Sequence, residues 1–259
     1  VPLERWDLSQ SVSAPLSDHI PVFFGAFLPC AESFDASHLG IREADAIYAD
    51  PQHRMILHVS TMLLNDPANS RGNVSVMVGL TASEYNVLAA QAVAPLGIVL
   101  AATGCLNIAA GRVSYAFDLR GPAFTLDTAC SSSLVCVSAG LDYVVQGSRD
   151  TSRKSACFGA NLTLSPSTTM ACASAGMLSS SGRCKTFDAN ADGYVRAEAC
   201  AGIKIRTKVA DDNYVTICAA AVNQDGKSSS LTAPNGPAQA RVIRDALEIA
   251  SIDEPSRVT

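Results

Sequence analysis

A layered α/β fold is what this sequence predicts, and three observations predict it. Short β-branched runs alternate with apolar residues at helical spacing along the chain. No internal repeat or low-complexity tract interrupts them. The 259 residues are 48% hydrophobic and only 17% charged, which is enough apolar surface to bury a large core.

The elements follow in order. Asp50 and Pro51 read as an N-cap and a first helical residue; Met55, Ile56, Val59, Met62 and Leu63 then recur at helical spacing until Asn65, Asp66 and Pro67 stop the run. VSVMVGL (residues 74–80) is a strand candidate, and helices are expected over 83–91 and around Ala109. Gly121 and Pro122 mark a turn, after which AFTLD reads as a short strand. From Ser131 a helix is predicted to run to Gly147, with Leu134, Val137, Leu141 and Val144 as its apolar repeat. Further strands are expected at 155–164, 199–207 and 214–222, and a last helix over 236–250 with Pro237 in its first turn. Neither terminus reads as a domain boundary, since the chain opens in mid-topology and stops in a polar linker.

Composition excludes several functions. The net charge is −5 and no run of Lys or Arg exceeds a pair, so the basic footprint of a nucleic-acid binder is missing. No apolar stretch approaches the roughly 20 residues that span a bilayer, and the opening VPLERWD has no signal-peptide pattern. Nine cysteines are an odd number for a disulfide framework, and none forms a C-x-x-C pair, which points to a reducing compartment without structural zinc. His53 and His58 are five apart, too far around a helix for a metal pair.

One segment carries chemistry. LDTACSSSL (residues 126–134) places Cys130 between a short strand and a helix, where the sulfur faces unpaired helix N–H groups. The positive end of the helix favours the nucleophilic thiolate, and the Cys130 N–H is an oxyanion donor to an attacked thioester carbonyl. Ser131, Ser132 and Ser133 keep the first turn small and are expected to help satisfy its open N–H groups. Spacing alone leaves a buried structural cysteine as the equal alternative.

DTACSSSL resembles the nucleophile signature of the β-ketoacyl synthase family. Flanking stretches extend the resemblance: AAGRVSYAFDLRGP (109–122), GMLSSSGRCKTFDANADGYVRAEAC (176–200) and NQDGKSSSLTAPNGPAQ (223–239). In order and spacing they are similar to ketosynthases of type I modular polyketide synthases, from Val1 to Thr259. The resemblance implies a thiolase-like αβαβα sandwich of which only the N-terminal half is present. Residues 1–235 would form that half, lacking its first strand and helix, and 236–259 the truncated start of the C-terminal half.

The activity implied is that of an acyltransferase, a β-ketoacyl-[acyl-carrier-protein] synthase of polyketide or fatty-acid biosynthesis. Cys130, the catalytic residue, takes an acyl group from an acyl carrier protein; a malonyl-type extender then loses CO2 and attacks the acyl thioester in a decarboxylative Claisen condensation. No cofactor is bound, because the phosphopantetheine belongs to the carrier. A homodimer with residues 103–110 near its axis is implied, in a cytoplasmic or plastidial setting. Two histidines that serve condensation in the family belong to motifs of the second half. His19, His38, His53 and His58 all precede Cys130 and match neither motif, so this polypeptide alone is expected to be inactive in condensation, with that pair beyond Thr259.

Two other classes compete. A non-catalytic ketosynthase-like domain for dimerisation or carrier docking is opposed by the retained Cys130. A Cys-His hydrolase is opposed by the upstream histidines and the lack of a hydrolase signature. Against the family pattern, VRAEA (195–199) has Ala197 and Ala199 in place of glycines, which restricts the backbone if positive φ is needed. Ser229-Ser230, His38-Leu39 and Ala49 also depart from it, and these changes bear on the shape of the substrate channel. Asp188 and Glu198 are expected to be structural carboxylates in preference to an acid/base pair, and Arg149, Arg153 and Lys154 a solvated loop in preference to a docking patch. Asn107, Arg112, Phe187 and Asn223 are structural first, with the acyl tunnel or dimer seam as the alternative.

Overall fold

The computed structural model describes residues 24–65, 73–81, 84–91, 104–147, 153–207, 214–230 and 233–253. After a 3-10 turn at Ser37–Leu39 come α1 (Glu43–Tyr48), α2 (Pro51–Leu64), β1 (Val74–Gly79), α3 (Glu84–Gln91), α4 (Leu106–Ala116) and β2 (Ala123–Leu126). A second 3-10 turn, Ala129–Ser131, leads into α5 (Ser132–Gln146); then follow β3 (Lys154–Asn161), α6 (Pro166–Ser174), β4 (Ala199–Arg206) and α7 (Gly236–Ile249).

The four strands form one sheet in the order β2-β1-β3-β4. β1 runs parallel to both β2 and β3, while β4 returns antiparallel along β3 with Cys157 opposite Ile203 and Gly159 opposite Ala201. Every residue of β1 is buried, as a central strand covered on both faces requires. Period-two alternation divides its side chains. Val74, Val76 and Val78 join Ala156 and Phe158 of β3 in a core with Ile56 and Leu57 of α2 and Ala110 and Val113 of α4. On the opposite face Met77, Cys157 and Ile205 pack against Cys136 and Val144 of α5. The layers are helix, sheet, helix, with α5 alone among the described helices packed on the second face.

Local rules explain the boundaries. Asp50 caps α2 by accepting the Gln52 N–H at 2.8 Å, and Pro51 begins the helix where no N–H is needed. Asn235 does the same for α7, accepting from the Ala238 N–H at 3.2 Å.

Two sequence expectations are corrected. Residues 214–222 form no strand: a β-branched run becomes one only where a neighbour supplies ladder partners, and among the described strands none does, leaving Val215 96% exposed. The predicted apolar repeat of α5 holds in part: Val144 is buried and Val137 and Leu141 pack against the same core, but Leu134 does not. Leu134 is 71% exposed, and the face against the sheet is Ser132, Cys136, Gly140 and Val144, an i, i+4 ridge. The sheet lies too close for large side chains: a methyl group on Gly140 would stand 2.5 Å from both the Cys157 Sγ and the Ser155 Oγ.

His53, in the first turn of α2, is 1% exposed beside the fully buried Asp50. Burial, opposed by the Asp50 charge and aided by that of Arg112, lowers its pKa from 6.5 to about 4. As pH falls, the unfolded chain therefore takes up this proton first, so stability is lost from the ordinary value of 6.5 down to about 4 and then levels off. Urea unfolding should show about 2 kcal/mol less stability at pH near 5 than at pH near 7.5 from this group, and His53→Gln should remove that slope. An unchanged slope in the variant would assign the loss to carboxylates instead.

Candidate active site

The turn that presents Cys130 is built from its neighbours' side chains. Asp127 Oδ1 accepts the Ala129 N–H at 3.0 Å, and Ala129 adopts φ +55°, a left-handed conformation that costs an alanine about 1 kcal/mol. Ser132 Oγ accepts the Thr128 N–H at 2.8 Å and donates to the Ala129 carbonyl at 2.7 Å. Ser131 Oγ donates to the Thr128 carbonyl at 2.8 Å. Ser131 and Ser132 thus brace the preceding turn and do not cap the helix, which corrects the sequence expectation; the N-cap of α5 has no side-chain hydrogen bond. The Ser132 N–H, first in the helix, donates to the Ala129 carbonyl of the same turn, and the start of α5 keeps the partial positive charge of a helix N-terminus.

Cys130 is exposed at this turn, whereas Cys136, Cys157 and Cys200 are not. Burial pushes the Cys136 and Cys200 thiols up to about 12 and raises Cys157, so these three stay protonated and unreactive near neutral pH.

Two glycines set the height of α5 over the sheet. A Cβ on Gly79, the last residue of β1, would fall 2.6 Å from the Ser133 nitrogen, and one on Gly159 of β3 would fall 2.7 Å from the Ser133 Cβ. The ends of β1 and β3 therefore touch the first turn of α5 directly.

Beside α5 lies a groove of about 700 Å³ with Cys130 in its lining. Ser133, Leu134 and Val137 of α5 form one wall; Gly159 of β3 and Ala199, Ala201 and Ile203 of β4 form its floor, and Tyr194 to Ala197 its rim. The rim is held rigidly. Tyr194 exchanges backbone hydrogen bonds with Met177 and Ser179, the Ala26 N–H donates to the Arg196 carbonyl at 3.0 Å, and Asn161 Nδ2 donates to the Ala197 carbonyl at 2.7 Å. Ala197 and Ala199 both take ordinary negative φ, so the alanines bring no backbone strain.

Glu198 has a structural part. Its Oε1 accepts the Thr163 N–H at 3.0 Å and its Oε2 the Leu28 N–H at 2.8 Å, which ties the rim to two loops. Asp188 accepts from Asn190 within its own turn, so the carboxylates act structurally, as expected from sequence. Tyr194 and Arg196 converge on Cys172 of α6: the tyrosine hydroxyl donates to Sγ at 3.5 Å and Arg196 Nη1 approaches it at 3.9 Å. Burial, then the contact with Cys172, raises the Tyr194 pKa and keeps its hydroxyl a donor.

The other candidates lie elsewhere. Asn107, Arg112, Phe187 and Asn223 do not line the groove: Phe187 is fully exposed, and Asn223 Nδ2 donates to the Ala238 carbonyl at 2.8 Å. Arg153 stacks over the Tyr143 ring at 5.0 Å, while Arg149 and His19 lie outside the described residues. His38, His53 and His58 are absent from the groove lining. Among the described residues no cluster of three potential metal ligands occurs. Gly79, Gly159, Tyr194 and Arg196 escape a reading of the sequence, because only the fold brings them to Cys130.

A family model described as Beta-ketoacyl synthase, N-terminal domain, matches residues 1–209, and one described as Beta-ketoacyl synthase, C-terminal domain, matches 214–259. One polypeptide of the phenolphthiocerol/phthiocerol polyketide synthase of Mycobacterium tuberculosis (strain CDC 1551 / Oshkosh) is 36% identical over 99% of this chain and 14% of its own length. Another polypeptide of the synthase of the same name, from Mycobacterium bovis, is 37% identical over 97% of this chain and 17% of its own. The ketosynthase from module 6 of the bacillaene synthase of Bacillus subtilis 168 superposes with a TM-score of 0.81 at 29% identity, over 97% of this chain and 43% of that one. The oxazolomycin ketosynthase domain of Streptomyces albus JA3453 gives 0.81 at 30% identity, covering 97% and 46%. The chain thus spans less than half of these solved ketosynthase chains and a small part of the curated relatives.

The close contact of Gly79 with α5 is testable against an open glycine. Gly79→Ala should lower stability by about 1–3 kcal/mol and slow iodoacetamide labelling of Cys130 as the turn shifts. Gly111→Ala, on an exposed face of α4 with nothing within 4 Å of the added methyl, should stabilise by about 0.5–1 kcal/mol. Thermal melts that rank the two variants the other way would remove the close-approach argument.

Proposed function

The chain belongs to the β-ketoacyl synthase family, with the thiolase-like α/β fold of modular polyketide-synthase ketosynthases, and we propose that Cys130 is its acyl-accepting nucleophile. The observation that carries this reading is the exposed thiol on a braced turn with a left-handed Ala129, at the start of a helix without a side-chain cap and in the lining of a largely apolar groove. Thiolate attack on the carbonyl of an acyl-carrier thioester forms the Cys130 thioester and releases the carrier's phosphopantetheine thiol, which takes a proton. The N–H groups at the start of α5 offset the negative charge that builds on the carbonyl oxygen. The groove accommodates the acyl chain, and its apolar floor of Ala199, Ala201 and Ile203 suits a hydrocarbon segment.

On this reading the longer protein is a condensing acyltransferase that joins the acyl group to a malonyl-type extender with loss of CO2, works as a homodimer with an acyl carrier protein, and belongs inside the cell. The nine free cysteines fit that setting, and no described helix is long and apolar enough to cross a membrane. On the same reading residues 1–235 form the first half of the fold and 236–259 begin the second, while the two family matches divide the chain at 209 and 214. The described histidines stand away from the groove, which supports acylation without condensation by this polypeptide alone.

Intact-protein mass spectrometry after incubation with a butyryl-pantetheine thioester tests the proposal. One butyryl group should appear on the chain and be absent from Cys130→Ala, although the other eight cysteines remain. A malonyl thioester added to the acylated protein should yield no β-ketoacyl product. Label on another cysteine would overturn the assignment, rapid release of butyrate to water would replace it with a hydrolase, and product formation would overturn the claim about condensation.

A further inference from the structure

The groove beside Cys130 has a peculiar charge balance. Among the described residues no aspartate or glutamate lines it, and Arg196 is the charged residue that does. Glu198, two residues further on, is fully engaged by the Leu28 and Thr163 N–H groups. Among the described residues Arg196 forms no ion pair; Nη1 approaches the Cys172 sulfur, the guanidinium also interacts with the neutral Tyr194 hydroxyl, and its Nε is buried without an acceptor. An unpaired guanidinium at the edge of an apolar groove is costly, and the chemistry that relieves it is a planar pair of anionic oxygens.

The side chain is also prepared for such a ligand. Its segment is pinned by the Ala26 and Asn161 hydrogen bonds, so little backbone freedom is lost on binding. Tyr194, two residues earlier on the same extended stretch, adds a hydroxyl beside it.

We propose that Arg196 is the anion-recognising residue of this groove and pairs with a carboxylate or phosphate carried by the thioester substrate. The inference rests on the reading of Cys130 as acyl acceptor and extends it: the groove distinguishes substrates by a charged group and not by hydrocarbon length alone. A carboxylate would reside on the acyl unit, and a phosphate on the arm that delivers it.

Rates of Cys130 acylation by three probes separate the sources. Succinyl-pantetheine against butyryl-pantetheine reports a carboxylate, and butyryl-phosphopantetheine against butyryl-pantetheine reports a phosphate. The native chain should prefer one anionic probe by about tenfold or more, as a charge-assisted pair implies. Arg196→Met should bring that rate ratio close to one, and Arg196→Lys should retain part of it. Ratios within one protein sample are independent of the fraction that folds. Equal rates in the native chain, or a preference that survives Arg196→Met, would overturn the proposal. If no probe acylates the native chain, the assignment of Cys130 itself fails, a separate result.

Discussion

Everything at the candidate site depends on how closely α5 lies on the sheet. Gly79 and Gly159 end their strands against the backbone and Cβ of Ser133, and Gly140 admits Cys157 and Ser155 one level below. Small residues at these contacts bring the helix start into register with the strand ends, so the turn of Cys130 is fixed by backbone contact and not by long side chains. Interiors packed this tightly transmit displacement, so a single methylene at either strand end is felt at the sulfur. The strain at Ala129 fits this picture: a left-handed alanine persists where Asp127, Ser131 and Ser132 over-determine the turn around it.

A second constraint holds the far side of the groove. Four consecutive backbone N–H groups after β3 have no ladder partner and are taken by side chains instead: Leu162 by Gln52 at 3.2 Å, Thr163 by Glu198, and Leu164 and Ser165 by Glu84 at 2.7 and 2.8 Å. Each acceptor comes from a different element, so α2, α3 and the rim of the groove meet at one loop. Buried N–H groups left open cost about 1–3 kcal/mol each, which is why two carboxylates are committed here. That commitment turns Glu198 toward the Leu28 and Thr163 N–H groups, and among the described residues the lining of the groove carries no carboxylate.

Much of this is legible in the sequence. The α2 helix announces itself through Asp50-Pro51, β1 through an unbroken apolar run, and Cys130 through its place between strand and helix. What is not legible has a common cause. Leu134 belongs to the core by size, yet where the helix starts the sheet lies too close for a large side chain, so hydrophobicity misplaces this one residue of the repeat. The 214–222 run has strand composition, but pairing is a property of neighbours that local pattern does not contain. The serines look like caps by residue type, and only the turn geometry shows that they bond backwards. Arg196 and Tyr194 lie more than sixty residues from Cys130 and carry no local signal of a shared groove.

The local charge at the site runs against the charge of the molecule. With a net charge of −5, the chain repels an anionic donor at long range, but such repulsion fades beyond roughly 8–10 Å at physiological salt. Inside that distance the groove presents the positive end of α5 and the Arg196 guanidinium between low-dielectric apolar walls, with no carboxylate among the described lining residues. On the proposed reading both features stabilise negative charge, one on the attacked thioester and the other on the group that accompanies it. A neutral acyl thioester would then gain only from the first, and the arrangement proposed to activate Cys130 would also give the groove a means of selecting what it accepts.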